Sequence, residues 1–146
     1  PPRSTLFPYT TLFRSAEGVQ IGTRFALTEE SSASPVFKDY CLSLGEGDTK
    51  LLLKKLAPTR LVKNAFREAV EKAEDSGATS EELRTLLGRG RAKKGIFEGD
   101  LEEGELEIGQ VSAIISRRQS VAEVMNELVE SYQQAVEKYK FPFMIG

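Results

Sequence analysis

Only one segment of this chain reads unambiguously as a strand, and it stands ahead of everything else that has a pattern. Gly18-Val19-Gln20-Ile21-Gly22 is short, β-branched and bounded by glycines, as a buried strand would be. The remainder of the chain is mostly helical in pattern. Thr28, Glu29 and Glu30 are placed to open a short helical turn. Pro35–Leu44 has Pro at its first turn, has Val36, Phe37, Tyr40, Cys41 and Leu44 at helical spacings, and is stopped by Gly45. Leu61, Val62, Ala65, Phe66, Ala69, Val70 and Ala73 form an apolar stripe that predicts a helix over 61–76, closed by Gly77. Thr79-Ser80-Glu81-Glu82 is a T-x-x-E capping box before Leu83, Leu86 and Leu87, with Gly88 as the stop. Ser120-Val121-Ala122-Glu123 is a second capping box. It opens the longest helix, with Val121, Val124, Met125, Leu128, Tyr132, Ala135, Val136 and Tyr139 on one face. Ile108, Val111, Ile114 and Ile115 suggest one more short helix, and Asp48–Leu56 fits strand and helix equally. A lone strand has no ladder partner, and these helices need a surface to cover. Helices that coat a sheet supplied by another part of a protein have this pattern. A small helical bundle has it too, and composition does not choose between them.

Composition removes whole classes of chemistry. Among 146 residues there is no His, which excludes Ser-His-Asp and Cys-His catalysis and every His-containing metal site. No catalytic residue and no metal ligand is therefore assigned. The single Cys41 has no disulfide partner within the chain, and a reducing cytoplasm is the expected compartment. It falls on an apolar helix face, as a buried structural thiol would. Lys plus Arg number 20 against 22 Asp plus Glu, so the charge balance gives no reason to expect a nucleic-acid or anionic-membrane partner. No apolar run approaches the roughly 18 residues of a membrane span. Arg84, Arg89, Arg91, Lys93 and Lys94 are followed by Glu98, Asp100, Glu102, Glu103, Glu105 and Glu107, a pattern expected to neutralise itself within one surface loop.

The first fifteen residues are set apart from the fold. The chain opens on Pro1, so its natural start is expected to lie elsewhere. Pro8, Thr10 and Thr11 interrupt any signal-peptide core. Thr5–Ser15, TLFPYTTLFRS, resembles the translation of a common sequencing-library adapter over its whole length. Residues 1–15 are accordingly expected to be a non-native scar.

The strongest chemical signal is Gly22-Thr23, directly after the predicted strand. A glycine there lets a phosphate approach backbone N–H groups, and the adjacent hydroxyl can donate a further hydrogen bond. As a bare dipeptide it is more often only a turn. Its context is more specific. Gly18–Phe25 followed by Thr28-Glu-Glu-Ser31 resembles the last barrel strand of the nitronate monooxygenase family, formerly the 2-nitropropane dioxygenases, to which flavin-dependent enoyl-(acyl-carrier-protein) reductases are close relatives. Pro58–Asn64, Gly88–Gly95, Phe97–Asp100 and Gly104–Gln110 resemble one branch of it in the same order.

The resemblance implies an α/β fold, the C-terminal part of a flavin-binding (β/α)8 TIM barrel. Such a barrel takes about 250 residues. The chain would supply the last strand, phosphate-binding loop and following helix over 16–56, then a C-terminal helical extension over 57–146, mostly helical as an isolated chain. It implies FMN as cofactor, with Gln20, Ile21, Gly22 and Thr23 lining the phosphate site. In the family's reaction an alkyl nitronate, a small molecule, is oxidised by dioxygen through the flavin. The family's catalytic His lies in a segment this chain lacks. Ser34 stands where many relatives have His before the Pro, which puts a substrate contact there in doubt. Gln110 falls near the flavin side of the barrel mouth by the same resemblance, or simply starts a helix. The expectation is thus a fragment of an FMN-dependent oxidoreductase, inactive alone. The alternatives are a fragment of an enoyl reductase using NAD(P)H, or a non-enzymatic helical interaction module over 57–140.

Overall fold

The computed structural model describes residues 18–139. The segment expected to be a scar lies outside them. Residues 18–22 carry no ladder hydrogen bonds, and Val19 is 78% exposed. The expected buried strand is therefore not formed here. An extended segment becomes a strand only when a neighbour takes its N–H and C=O groups, and none of the described residues does so. The chain turns at Gly22 into a one-turn helix, α1 (Thr23–Ala26), so the expected helical turn comes before Thr28 instead of at it.

Helix α2 (Pro35–Leu42) forms as the sequence predicts. Pro35 opens it, and the Ser34 hydroxyl caps it by accepting from the Phe37 N–H at 3.1 Å. Phe37 and Cys41 point inward and are essentially inaccessible. Around them gather Leu27, Leu44, Val62, Leu106, Ile108 and Ile115, a core drawn from both halves of the chain.

The stretch left open at Asp48–Leu56 is a strand, β1 (Thr49–Leu52). It pairs antiparallel with β2 (Thr59–Val62), Thr49 opposite Val62 and Leu52 opposite Thr59. The helix expected over 61–76 thus starts later, as α3 (Ala65–Asp75). Leu61 and Val62 belong to the strand, and the Asn64 side chain is the true helix cap, accepting from the Arg67 N–H at 2.8 Å. Gly77 closes α3 at φ +83°, with its N–H on the Glu74 carbonyl and the Ala78 N–H on the Ala73 carbonyl. That is a Schellman ending, which a Cβ at Gly77 would strain. Phe66 and Val70 of α3 pack with Leu52, Leu53 and Leu61 into a second core. Helix α4 (Ser80–Leu87) carries the predicted capping box, reciprocal between Thr79 and Glu82, and buries Leu83.

A π-helical turn comes next at Lys93–Phe97, with no counterpart in the expected elements. Here the backbone crosses itself. A Cβ on Gly104 would stand 2.3 Å from the Asp100 carbonyl oxygen and 2.3 Å from the Gly95 Cα. A Cβ on Gly95 would stand 2.8 Å from the Leu106 side chain. Residues 106–108 then run beside β2: Val62 N–H donates to the Leu106 carbonyl at 3.0 Å and Ile108 N–H to that of Arg60 at 3.3 Å. The short helix expected near Val111 is a 3₁₀ turn, Gln110–Ile114.

Helix α5 (Val121–Tyr139) begins at the second predicted capping box. The Ser120 N–H donates to the Glu123 carboxylate at 2.8 Å, and the Ser120 hydroxyl oxygen accepts from the Glu123 N–H at 3.2 Å. The Glu30 carboxylate accepts from the Val121 N–H at 3.0 Å, a negative charge at the positive end of a helix. Among the described side chains of its predicted apolar face, Val124 alone is buried; Met125 and Tyr132 are exposed. No helix among the described residues is long and apolar enough to cross a membrane.

Candidate phosphate-binding site

Gln20, Ile21, Gly22 and Thr23 lie on consecutive residues where the extended segment meets α1. Gln20 and Gly22 are exposed, and Ile21 and Thr23 are half-buried. No described atom lies within 4 Å of where a Cβ on Gly22 would stand. This side of the backbone is open to a ligand.

Thr23 is held from the other side. Its hydroxyl oxygen accepts from the Gly109 N–H at 3.1 Å, across 86 residues of sequence. The two residues border an open groove of about 410 Å³, lined further by Ala26, Pro58, Thr59, Arg60, Glu107 and Ile108. A wider depression of about 650 Å³ lies on the far side of Arg60 and includes Gly45, Gly47, Gln110 and Ile114. The Arg60 guanidinium between them donates to the Thr49 hydroxyl at 3.2 Å. Gln110 is thus the first residue of a 3₁₀ turn and is exposed on one of these depressions.

Arg24 is committed elsewhere. It donates to Gln119 and to Glu127, each at 2.5 Å, and Gln119 in turn donates to Glu127. The Glu127 carboxyl is held below the ordinary range, first by the Gln119 hydrogen bond and then by Arg24 and Arg117. This network ties α1 to α5. Sequence reasoning missed it, and also missed Gly109, because both contacts are non-local.

Other candidates resolve into structure. Ser34 is a helix cap. The Cys41 thiol is wholly buried, and burial pushes it up to about 12, which leaves no thiolate for nucleophilic chemistry. Three residues of the basic block pair with the acidic block as expected, Lys93 with Glu98, Lys94 with Asp100 and Arg91 with Glu103, whereas Arg84 pairs with Glu81 in its own helix. Arg91 also lies over the Phe66 ring, 4.5 Å from its centroid. No His/Cys/Asp/Glu cluster fit for a metal occurs among the described residues.

A profile of the nitronate monooxygenase family matches residues 9–131. The chain belongs to the nitronate monooxygenase family. The match reaches into the segment expected to be a scar. A curated "Probable nitronate monooxygenase" from Bacillus subtilis is 31% identical over 116 residues, covering 79% of this chain and 33% of that protein. Among solved structures, FabK from Thermotoga maritima is similar at TM-score 0.77 and 28% identity, covering 88% of this chain and 41% of that one. A point mutant of the same FabK gives a TM-score of 0.70 at 26% identity. The chain therefore spans about a third of the length of its curated relative. The expected fold class holds: this is an α/β chain corresponding to the C-terminal part of a (β/α)8 barrel. The family is one of flavin-dependent oxidoreductases.

Proposed function

We propose that this chain is the C-terminal part of an FMN-dependent enzyme that oxidises alkyl nitronates with dioxygen, and that Gln20, Ile21, Gly22 and Thr23 meet the flavin phosphate. The observation that carries the reading is Thr23. Its oxygen is occupied by Gly109, so its own proton is free for an acceptor, next to a glycine whose outer side is open. Those residues fit a phosphate oxygen. In the neighbouring groove Arg60 is offset by Glu107, so no net positive charge draws an anion there, and the open Gly22 side is the approach. FMN, when bound, supplies the redox chemistry. The residues of this chain bind and orient it, and the proton-transfer groups belong to the rest of the barrel.

In this reading residues 16–56 form the barrel-end unit and 57–146 the extension covering it. The compartment is cytoplasmic, and the partners are the small-molecule nitronate and dioxygen, with no nucleic acid or membrane. Alone the chain is inactive. It contains no His, and half a phosphate site without its barrel neighbours has lost preorganisation. A second reading, the enoyl-(acyl-carrier-protein) reductase branch using NAD(P)H, stands beside the first because FabK is similar at 28% identity over 88% of this chain, beside 31% over 79% for the B. subtilis relative.

Fluorescence titration with FMN tests the proposal. The 146-residue chain is expected to bind more weakly than micromolar. The longer protein, expressed with its upstream reading frame, is expected to retain FMN and to consume dioxygen with an alkyl nitronate. Micromolar binding by the short chain, or a longer protein without flavin, would overturn it. Oxidation of NAD(P)H by an enoyl thioester in place of nitronate turnover selects the second reading.

A further inference from the structure

Position 109 has no conformational need for glycine. Its φ of −70° and ψ of 152° are open to any residue. What excludes a side chain there is one atom. A Cβ on Gly109 would lie 2.4 Å from the Thr23 hydroxyl oxygen, whereas the Thr23 Cβ is an ordinary 3.6 Å away. The same backbone is held on both sides. The preceding Ile108 N–H bonds to β2 through the Arg60 carbonyl, and the Gly109 carbonyl accepts from the Ser112 N–H at 3.0 Å. A rigid N–H therefore meets Thr23 at 3.1 Å.

A hydroxyl has one proton and two lone pairs. With a fixed donor on one lone pair, its proton cannot turn towards Gly109 and is directed to the remaining side. We propose that Gly109 is a positioning residue: its N–H orients the Thr23 hydroxyl so that the proton is presented to the flavin phosphate. The C-terminal part of the chain thereby supports this chain's share of the phosphate site, the residues Gln20–Thr23. This rests on the reading that Gly22 and Thr23 meet that phosphate.

A double-mutant cycle read by NMR tests it on the 146-residue chain with FMN at millimolar concentration. In the wild type the Gly22 and Thr23 amides are expected to shift on titration, and the Gly109 amide is expected to be protected from exchange before any FMN is added. Gly109→Ala should weaken FMN by about tenfold, the loss of one hydrogen bond to a charged group. In a Thr23→Ala background, where the obstructing oxygen is gone, Gly109→Ala should change affinity by less than about twofold. A glycine needed for packing against groups other than the Thr23 hydroxyl would cost the same in both backgrounds, and that result overturns the proposal. So does an unprotected Gly109 amide, or Gly109→Ala binding FMN like the wild type while Gly22 and Thr23 still shift. If FMN leaves Gly22 and Thr23 unshifted, the phosphate-site reading itself fails and the orienting role goes with it.

Discussion

Helices α3 and α5 carry similar sequence patterns and meet opposite fates. Each has an apolar stripe on one face and a side-chain cap at its start. Helix α3 sinks Phe66 and Val70 against the hairpin, and both are essentially inaccessible. Among its described side chains, helix α5 buries Val124 alone and presents Met125, Val129 and Tyr132 to solvent, the last 71% exposed. An amphipathic stripe thus states that a surface is to be covered, and leaves open whether the same chain covers it. For α3 the answer lies a few residues upstream, in β1 and β2. For α5 the described residues hold no answer beyond its first turns.

The sharpest way to break this contrast is to truncate one aromatic in each region. Phe66→Ala, in the core that Leu52, Leu61 and Val70 share, is expected to cost about 3–5 kcal/mol, read as a lowered urea midpoint. If it costs under about 1 kcal/mol, the packed half is not packed. A second measurement uses pH. Glu105 is buried, and its carboxyl is pushed up to about 7, first by burial and then by the Glu107 carboxylate. The folded chain keeps a proton that the unfolded chain releases near the ordinary 4.5. The Glu105 contribution to stability is therefore full below that pH and is lost as pH rises from 4.5 to 7, and Glu105→Gln should remove that part of the pH dependence. Asp100 nearby behaves oppositely. Lys94 and the backbone N–H groups of Glu103 and Glu102 hold it near 2, so its contribution is lost only in stronger acid.

Smaller again is the cap of α4. Thr79→Ala removes the hydroxyl that caps the Glu82 N–H, leaves the backbone N–H at 79 on the Glu82 carboxylate, and should cost about 1 kcal/mol by the same urea measurement. Smallest is Tyr132→Ala on the open face of α5, expected to stay within about 0.5 kcal/mol. A cost there close to that of Phe66→Ala would mean that the α5 face is covered in solution, and the comparison would collapse.

How much could be read from the sequence depends on the range of the forces involved. Both capping boxes, the Pro35 start of α2 and the burial of Cys41 are decided within a turn of helix, and all were legible. The family resemblance was legible because several short motifs recur in order. The hairpin was not. Leu51-Leu52-Leu53 does not alternate, and its partner ends with Leu61 and Val62 at a spacing that also continues the α3 stripe. Asn64, a strong cap residue, was the local sign that the helix begins after them. The π-helical turn had no sign beyond Gly95. At the candidate site Gly22-Thr23 was visible as a dipeptide, but its partner Gly109 is not signalled by anything near it.

The crossing of Gly95 and Gly104 has a practical consequence. The two glycines close the neck of a loop whose outer residues, Glu98, Glu102 and Glu103, are exposed and whose ion pairs are superficial. Surface charge on that loop can be rewritten residue by residue. The neck admits no such stepwise change, because a methyl group on Gly104 strikes backbone that has nowhere to go, so a random library should return this chain with those two codons unaltered.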